Sequence, residues 1–495
     1  MHTASNKTEK GSLLIAVMVY AAIGIVTLSA FVGWAVTLSR VADHMPVKEQ
    51  SLQLAEAGID YYRWHLAHDP DDYEDGTGEA GPYVHEFTDQ QGNRIGEYSL
   101  SITPPSAESN RVIIESTGTV DGYPELARTI QVTLTQASLA QYAIVTNNFL
   151  RVLQNVDVNG KIHSNYGIRF DGIAHNAVTS AQTSYDDASH ADTSVEHAVH
   201  THVKRPPLTG IWSTYVSDEA PPNPLETRTD VFMAGRSVGV PAIDFTGITS
   251  DIATLQTQAQ SADGDYYAAS GYQGYHIVLK TNDTYDIYTV TNMQSAGTCT
   301  SGYTPAPLPT GYTWSVWTIK ATGGQTLIGN YPFPANGIIY ANDNIWVDGT
   351  VNGARLTIVS GGSTSRHIVV NTNLSYTNYD GTDVVGLISQ GSVITGLRSD
   401  DTLRIDAAMV AQSGKVGRYP YGSSGCGTYR NRASLTTYGM IAANASYGFS
   451  ETDSTSGSGY GTVSANYDSN LMFDPPPGFP STSDTFMLTS WEEID

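Results

Sequence analysis

The amino-acid sequence predicts a mainly β protein that begins with a long helix. Three observations predict this class. An uncharged apolar run covers Ser12–Ser39, a helical pattern with strand-like segments follows it, and short strand-and-corner motifs recur in the rest of the chain. We expect an N-terminal transmembrane and amphipathic helix with a small antiparallel sheet, then a parallel β-helix, or solenoid, with an inserted α+β segment.

The apolar run predicts a single membrane-spanning helix. It exceeds the about 20 residues that a helix needs to cross a bilayer. It is also longer than the apolar part of a secretory signal, about 7–15 residues, and no clean A-x-A cleavage site follows it. Lys7 and Lys10 precede the run and predict that the N-terminus stays inside, although Arg40 and Lys48 weaken the charge asymmetry. The bulk of the chain is therefore expected outside the cell membrane, at the cell surface.

Composition limits the classes of partner. The 495 residues carry a formal net charge of −24, and 40% of them are hydrophobic. This hydrophobic content is sufficient for packed cores and argues against a largely disordered chain. An acidic surface repels phosphate backbones, so a nucleic acid is not an expected partner. The sequence contains neither a P-loop nor an H-E-x-x-H motif, and no cofactor is expected.

The two cysteines, Cys299 and Cys426, both lie in segments rich in Gly, Ser and Thr. In an exported protein two cysteines can pair. Their separation in sequence does not determine their separation in space. A Cys299–Cys426 disulfide and two free loop thiols both remain open at this stage.

A second helical segment and four strands are predicted after the apolar run. Pro46 predicts a kink or a restart of the helix. Beyond it, apolar residues recur at the spacing of one helix face, namely Leu52, Ala55, Ile59, Tyr62 and Leu66. Strand-like runs separated by turn residues then cover Tyr83–Thr88, Glu97–Thr103, Arg111–Thr119 and Leu126–Thr135. These segments predict a helix whose second half lies against a small antiparallel sheet.

Two segments of this region resemble the N-terminal region of PilX-type minor pilins of type IV pili. They are Lys10-Gly11-Ser12, directly before the apolar run, and LQLAEAGIDYYRWHLAH from Leu52 to His68. The resemblance implies cleavage by a prepilin peptidase between Gly11 and Ser12, methylation of the new N-terminus, and contact with other pilin-like subunits through the helix. Ala16 occupies the fifth position from Ser12, where the family often has Glu. This departure favours a minor subunit, and it leaves an uncleaved membrane anchor open.

An internal repeat predicts the β-helix. Gly160–Gly172 reads GKIHSNYGIRFDG and Gly337–Gly349 reads GIIYANDNIWVDG, and weaker copies begin at Ala354, Gly386, Ala408 and Gly439. One rung cannot bury its inward face alone, whereas stacked rungs share a core. We expect Ile338, Ile345 and Val347 to point into that core, with Ile162, Ile168 and Phe170 in an equivalent rung. A β-sandwich with many glycine turns is the alternative.

The C-terminal half also resembles a domain of unknown function that follows PilX-like N-termini in exported bacterial proteins. The matching segments are NGIIYANDNIWVDGTVNGARLTIVSGG, from Asn336, and DPPPGFPSTSDTFMLTSWEE, from Asp474. This resemblance implies no catalytic residue.

The predicted organisation follows from these segments. Residues 179–335 lack the repeat and contain a helix-like segment and a hairpin signal at Asn282-Asp283. The expected parts are a leader (1–11), a transmembrane helix (12–39), a pilin-like helix and sheet (40–136), first β-helix rungs (137–178), an insert (179–335), the β-helix (336–480) and a C-terminal tail (481–495).

Two polar clusters were considered as metal sites. His190, His197, His200 and His202 lie in SHADTSVEHAVHTH, a pattern that can hold a transition metal but is more typical of an exposed polar loop. The carboxylates of DPDDYED could bind calcium, but the segment fails the EF-hand template, and a solvated loop is favoured. No metal site is assigned from the sequence.

Two classes of function remain. The first is a non-enzymatic, pilin-like subunit whose solenoid is displayed for adhesion or pilus assembly and contacts an unknown surface ligand. Here the proline-rich segment from Asp474 to Pro480 is expected to close one solenoid end. The second is a membrane-tethered carbohydrate-active enzyme of the parallel β-helix type, with Asp400, Asp401 and Asp406 as candidate carboxylates. Because a fold does not imply an activity, we expect no catalytic residue and favour the first class.

Processing at Gly11 is testable. Mass spectrometry of the native protein should find an N-terminus at Ser12, because Gly11 is the small residue between the basic start and the apolar run. Gly11→Leu should block cleavage. A chain that keeps its first residues in cells with an active prepilin peptidase would contradict the processed form and leave the plain anchor.

Overall fold

The computed structural model describes residues 12–105, 111–188, 193–245, 247–295, 299, 317–363, 365–422, 425–450, 458–479 and 481–494. The chain divides into two compact units. The first comprises Met1–Pro104, Val112–Leu134 and Leu488–Asp495, and the second comprises Pro105–Arg111 and Thr135–Met487. The predicted class is confirmed: a long N-terminal helix precedes a mostly β chain with a small antiparallel sheet and a large parallel sheet.

One continuous helix, α1, spans Ser12–His68 and contains Pro46 in its interior. Its 57 residues extend for about 85 Å at 1.5 Å per residue. Of the two expectations at Pro46, the restart is therefore wrong, and the kink stays a prediction. A proline removes one backbone donor from a helix, but the residues on both sides of Pro46 keep the helical conformation.

The second half of α1 buries one apolar face. The buried side chains are Leu54, Ala55, Ile59, Tyr62 and Leu66. Leu52, which was predicted on this face, is only partly buried. Leu54 takes its place, because it lies one helical turn before Gly58 and two turns before Tyr62, on the same face.

The helix approaches the sheet closely at glycines. A Cβ atom at Gly118 would lie 2.0 Å from the carbonyl oxygen of Ser51, and one at Gly58 would lie 2.3 Å from the hydroxyl of Ser116. Larger residues at either position would have to push the helix away from the strands.

Four strands of the small sheet follow α1, at nearly the predicted positions. They are β1 (Tyr83–Thr88), β2 (Arg94–Thr103), β3 (Arg111–Val120) and β4 (Arg128–Ser138). β1 pairs with β2, and β2 with β3, in antiparallel register. Every second residue of β3 is buried, which is the alternation of a sheet covered on one face.

The second unit consists mainly of short strands. Those before its helix are β5 (Ile144–Thr146), β6 (Leu150–Val152), β7 (Val156–Asn159), β8 (Ile162–Ser164), β9 (Ile168–Phe170), β10 (Ile173–Ala174), β11 (Val178–Ser180), β12 (Ser184–Asp186), β13 (Val195–His197), β14 (Val199–His200) and β15 (Arg236–Val238). The helix α2 spans Gly247–Ala259.

The strands after α2 begin with a hairpin at the predicted position. They are β16 (Asp265–Tyr267), β17 (Gly274–Leu279), β18 (Thr284–Val290), β19 (Gln325–Pro332), β20 (Ile338–Ala341), β21 (Ile345–Val351), β22 (Arg355–Ser360), β23 (Ile368–Val369), β24 (Leu374–Tyr376), β25 (Val384–Ser389), β26 (Val393–Thr395), β27 (Thr402–Ala411), β28 (Val416–Arg418), β29 (Asn431–Ala443), β30 (Tyr447–Gly448) and β31 (Gly459–Tyr467). Short 3-10 helices lie at Pro124–Leu126, Leu139–Gln141, Ser217–Glu219, Gly427–Arg430 and Ser469–Met472.

The last strand, β32 (Ser481–Ile494), returns to the small sheet and lies beside β4. The side chain of Arg128 pairs with that of Glu493, and the hydroxyl of Thr489 donates to the carbonyl of Thr133, so the two strands run antiparallel. The expectation of a C-terminal tail over 481–495 was therefore wrong. The local sequence could not reveal the edge that this segment completes.

The longest parallel stack of the second unit has an unexpected order. It runs β15-β11-β8-β5-β29-β27-β25-β22-β20-β16. The chain enters this stack in the middle, at β5, and winds outward to β15. It then crosses through α2 to β16 at the opposite end and winds back to β29. The strand by which the chain enters the stack, β5, therefore lies next to the last strand that it adds to the stack, β29.

Two other rows of parallel strands form the remaining faces of the second unit. We call the coiled chain from β5 to β31 the winding. One runs β10-β7-β31-β29. The other contains β14-β9-β6 and, separately, β30-β28-β26-β23-β21-β17. The hairpin β17–β18 is antiparallel, but β17 also pairs in parallel with β21 and so joins the large sheet.

The proline-rich segment does not close an end of the stack. The carbonyl of Pro477 accepts a hydrogen bond from Thr357 at 2.6 Å, and that of Pro475 accepts one from Arg355 at 2.8 Å. Both donors belong to β22, inside the stack. The prediction of an end cap failed because the pairing of β5 with β29 moves the end of the winding into its interior.

One buried core runs through the winding. It contains five of the predicted inward residues, Ile162, Ile168, Phe170, Ile345 and Val347. Ile338 was also predicted there, but Ile339 points into this core and Ile338 packs with Ile252 and Leu255 of α2. Since α2 covers the outer face of β20, both faces of that strand are apolar, and alternation cannot distinguish inside from outside.

Truncation of Ile345 tests this core. Ile345→Ala should lower the free energy of unfolding by about 2–5 kcal/mol, because the side chain is fully buried and its removal leaves a cavity. Chemical denaturation measures the change. Ile173→Ala is the matched control, since Ile173 is 43% exposed, and it should change the free energy by less than about 0.5 kcal/mol. Equal effects at the two positions would contradict the assigned core.

Candidate functional site

The first half of α1 exposes its apolar side chains. Large apolar residues between Leu13 and Val41 are each about half exposed or more. By length and composition this helix is able to cross a membrane. Ser12 is its first residue, whereas Gly11 lies outside the described residues. Such a surface is stable only against lipid or against apolar faces of other chains.

The acidic loop after α1 is held by donors from the chain itself. The Asp72 carboxylate accepts hydrogen bonds from the backbone N–H groups of Glu74 at 2.8 Å and Gly76 at 2.7 Å, and it lies 3.0 Å from Nε2 of His65. Asp75 accepts the hydroxyl of Tyr61 at 3.1 Å. These carboxylates therefore fold the loop back onto the end of α1.

The hydrogen bonds change the acidity of Asp72. The N–H of Glu74, followed by that of Gly76 and by His65, stabilises the ionised form and lowers the pKa of Asp72 below its usual 3.8. A carboxyl with a lowered pKa stabilises the folded state above its unfolded pKa. That stability is lost as the pH falls through the folded pKa.

The two cysteines form a disulfide, Cys299–Cys426, with a Cα–Cα distance of 4.4 Å. Cys426 is buried with Leu397 and Tyr421, and Cys299 packs against this group. The bond closes a separation of 127 residues and limits the freedom of the unfolded chain.

Three of the four histidines singled out in the sequence are buried. His200 and His202 are fully inaccessible and His197 is 8% exposed, while His190 lies outside the described residues. The expectation of an exposed polar loop was therefore wrong. Polar composition suggested exposure, but these side chains find polar partners inside the fold.

The buried histidines meet two carboxylates that sequence reasoning missed. Nε2 of His200 lies 3.1 Å from Glu196 Oε2 and 3.4 Å from Asp187 Oδ2, and Nε2 of His202 lies 3.3 Å from Glu196 Oε1. One ligand atom from each of the four residues lies within 4.8 Å of all the others. The spacing Glu-x-x-x-His-x-His over 196–202 was the available signal.

The strands that hold this cluster are short. Asp187 directly follows β12, Glu196 lies in β13 and His200 in β14. β12 pairs antiparallel with β13, and β14 pairs parallel with β9. Glu196 and His200 lie in strands, Asp187 lies one residue after β12, and His202 lies two residues after β14.

Tyr185 of β12 covers the cluster from one side. Its ring lies 5.4 Å from that of His200. Burial, followed by the nearby carboxylates of Asp187 and Glu196, raises the pKa of Tyr185 well above 10, so the phenol stays protonated. The side chain thus adds an apolar wall and no charge.

The carboxylates considered for an enzyme are engaged within the chain. Asp406 is fully buried and accepts hydrogen bonds from the backbone N–H of Tyr376 at 3.0 Å and the hydroxyl of Tyr379 at 2.8 Å. Asp401 accepts the N–H of Ala433 at 3.1 Å. Burial raises the pKa of Asp400. The carboxylates of Asp401 and Asp406 therefore have a structural role, because they accept hydrogen bonds from other parts of the chain.

A polar cleft lies beside β17 and β21. Its lining includes His276, Lys320, Asp348, Asn371 and Arg398. Nε2 of His276 lies 2.9 Å from Asp348 Oδ2. The cleft offers donors, acceptors and both signs of charge, which is the chemistry that a polar ligand requires.

Comparison with solved structures gives a similarity to the crystal structure of the competence-associated pilin ComZ from Thermus thermophilus. The sequence identity is 13%, the TM-score is 0.30, and the aligned region covers 90% of this chain and 97% of that chain. At this TM-score the similarity does not establish a common fold. No protein-family model and no curated protein matches this chain.

The acidic loop provides a test in the first unit. Asp72→Asn should destabilise the loop by about 1.5–3 kcal/mol, because an amide oxygen cannot replace a carboxylate that accepts from two backbone N–H groups. Hydrogen–deuterium exchange of peptides covering residues 69–82 measures the change. In the unaltered protein, protection should fall as the pH drops below about 4. Asp71→Asn, at an exposed position, is the control, and equal effects of the two variants would contradict the role of Asp72.

Proposed function

We propose that this chain is a minor, pilin-like subunit of a type IV pilus-like assembly. It is anchored in the cell membrane by α1, with its N-terminus inside, and displays its second unit at the surface, where it acts by contact with a ligand. The observation that carries this proposal is the division of α1 into an exposed apolar half and a half that is buried against the small sheet. The resemblance of residues 10–12 and 52–68 to PilX-type pilins supports it.

The exposed half of α1 supports both an anchor and an assembly role. Apolar side chains such as Leu14, Ile25 and Phe31 are more than 60% exposed. Lipid covers such a surface in the membrane, and helices of other pilin-like subunits cover it in a fibre. The same face therefore serves before and after assembly.

The placement of the second unit in the sequence supports a display role. The chain leaves the small sheet through β4 and returns to it through β32, which is the neighbouring strand. In the sequence, the whole of the winding is thus inserted between two strands that are neighbours in a small pilin-like sheet. A unit of this size suits an end or a sparse position in a fibre better than a repeated shaft.

Removal of the winding tests this function. Residues 139–480 should be replaced by a short Gly/Ser linker of about 5 residues, so that β4 and β32 remain paired. The variant should still insert into the membrane and reach the surface, because α1 and the small sheet are kept. It should lose surface attachment by at least about tenfold relative to the full chain, as measured by counting adherent cells.

The outcomes separate the two classes of function. Attachment at the level of the full chain would refute a contact role for the second unit. Cleavage of polysaccharides by the purified full chain would instead favour the membrane-tethered carbohydrate-active enzyme.

A further inference from the structure

We propose that Asp187, Glu196, His200 and His202 form a buried site for one divalent transition-metal ion, with Zn²⁺ as the best match. The site is structural: it ties β12, β13 and β14 together at one end of the winding. The argument rests on five properties of the cluster, which are its spacing, the orientation of its imidazoles, the unsatisfied Nε2 of His200, its charge and its place in the fold.

The spacing of the ligand atoms fits tetrahedral coordination. With metal–ligand bonds of about 2.0–2.1 Å, neighbouring ligands of a tetrahedral zinc ion lie roughly 3.3 Å apart. Nε2 of His200 lies 3.1 Å from Glu196 Oε2 and 3.4 Å from Asp187 Oδ2, and Nε2 of His202 lies 3.3 Å from the other oxygen of Glu196. One ligand atom from each of the four residues lies within 4.8 Å of all the others, which is close enough for one ion to draw them together. Two histidines and two carboxylates also supply the nitrogen and oxygen ligands that zinc accepts.

Both imidazoles are oriented as in metal sites. Nδ1 of His200 lies 3.2 Å from the carbonyl oxygen of His197, and Nδ1 of His202 lies 3.1 Å from that of Trp212. A carbonyl oxygen only accepts, so each Nδ1 must carry the proton and donate it. In the neutral ring, Nε2 then presents its lone pair to the cluster, which is the arrangement found where a histidine binds a metal.

His200 gives the independent sign that something occupies the centre. The side chain is fully buried, and its Nε2 makes no hydrogen bond despite lying near two carboxylates. A buried polar atom without a hydrogen bond is costly. Coordination to a metal uses its lone pair and removes that cost.

The charge around the cluster also fits a divalent ion. Asp171, Asp187 and Glu196 are buried carboxylates, and the guanidinium of Arg169 contacts both Asp171, at 2.8 Å, and Asp187, at 3.8 Å. Counted over the residues that the structure describes, these four groups sum to two negative charges. With neutral imidazoles, one divalent cation balances them, and burial of uncompensated charge is avoided.

The position of the site indicates that it stabilises the end of the winding. β14 is the outermost strand of the stack β14-β9-β6, and β12, β13 and β14 contain only two or three residues each. Such short strands have few ladder hydrogen bonds and little apolar area. A metal that joins three of them would fix the end of the winding and keep its edge from pairing with another chain.

Metal content and thermal stability of the full chain test the site. The chain is purified in detergent with an affinity tag that contains no histidine, stripped with a chelator and titrated with Zn²⁺ alone. We expect one zinc per chain by elemental analysis and a rise in melting temperature of roughly 5 °C. X-ray absorption should show nitrogen and oxygen ligands, including imidazole, at about 2.0–2.1 Å.

Two variants and a control locate the ion. Glu196→Gln keeps the side-chain volume, and His200→Gln removes one imidazole. Each variant should weaken zinc binding by at least about 100-fold, because loss of an outer-shell partner alone weakens metal binding by about 10–100-fold. His175→Ala should bind zinc as the unaltered chain does, because His175 is partly exposed and pairs with Asp157 at 2.7 Å, apart from the cluster.

Several results would overturn the proposal. Zinc binding that survives Glu196→Gln would place the ion outside this buried cluster. Absence of zinc together with an unchanged melting temperature would show that the imidazoles and carboxylates form a metal-free network. If a variant fails to fold, the stoichiometry and absorption spectrum of the unaltered chain still decide between these outcomes.

Discussion

The parallel pairing of β5 with β29 is the contact on which the second unit depends. Ile144 lies opposite Ile441, and Thr146 lies opposite Ala443, although each pair is separated by most of the unit's sequence. β7 and β31 repeat the arrangement on another face. These pairs join the two arms of the winding into one stack and bury one core. Without them, two strand edges would be left open in its interior.

The two ends of the stack are stabilised by different chemistry. Near β15, buried charges add to the apolar packing: Arg228 and Arg236 both contact the buried carboxylate of Glu219. Near β16, the hydroxyls of Tyr267 and Tyr285 lie 2.6 Å apart, and burial raises the pKa of Tyr267 to about 12. Rungs at an end have a neighbour on one side only, so they need contacts that the apolar core does not supply.

Features set by local sequence were predictable, whereas long-range contacts were not. The helical face around Ile59 and the strand β1 follow from the spacing of apolar residues within one segment. The return of β32 to β4 and the entry of β5 beside β29 join distant segments, and periodicity holds no information about them. His200 and His202 were misassigned for a related reason: polar residues indicate exposure unless their partners are known, and Asp187 was not recognised as a partner.

The adjacency of β4 and β32 brings the two sequence ends of residues 139–480 to neighbouring strands. Residues 139–480 follow β4 and precede β32, which are neighbouring strands, so another module with closely spaced termini fits between these two strands. Insertions at such positions are well tolerated because the cost of closing a loop grows only slowly with its length. Under the proposed function, such an insertion allows the displayed surface to change in evolution while the anchoring part stays constant.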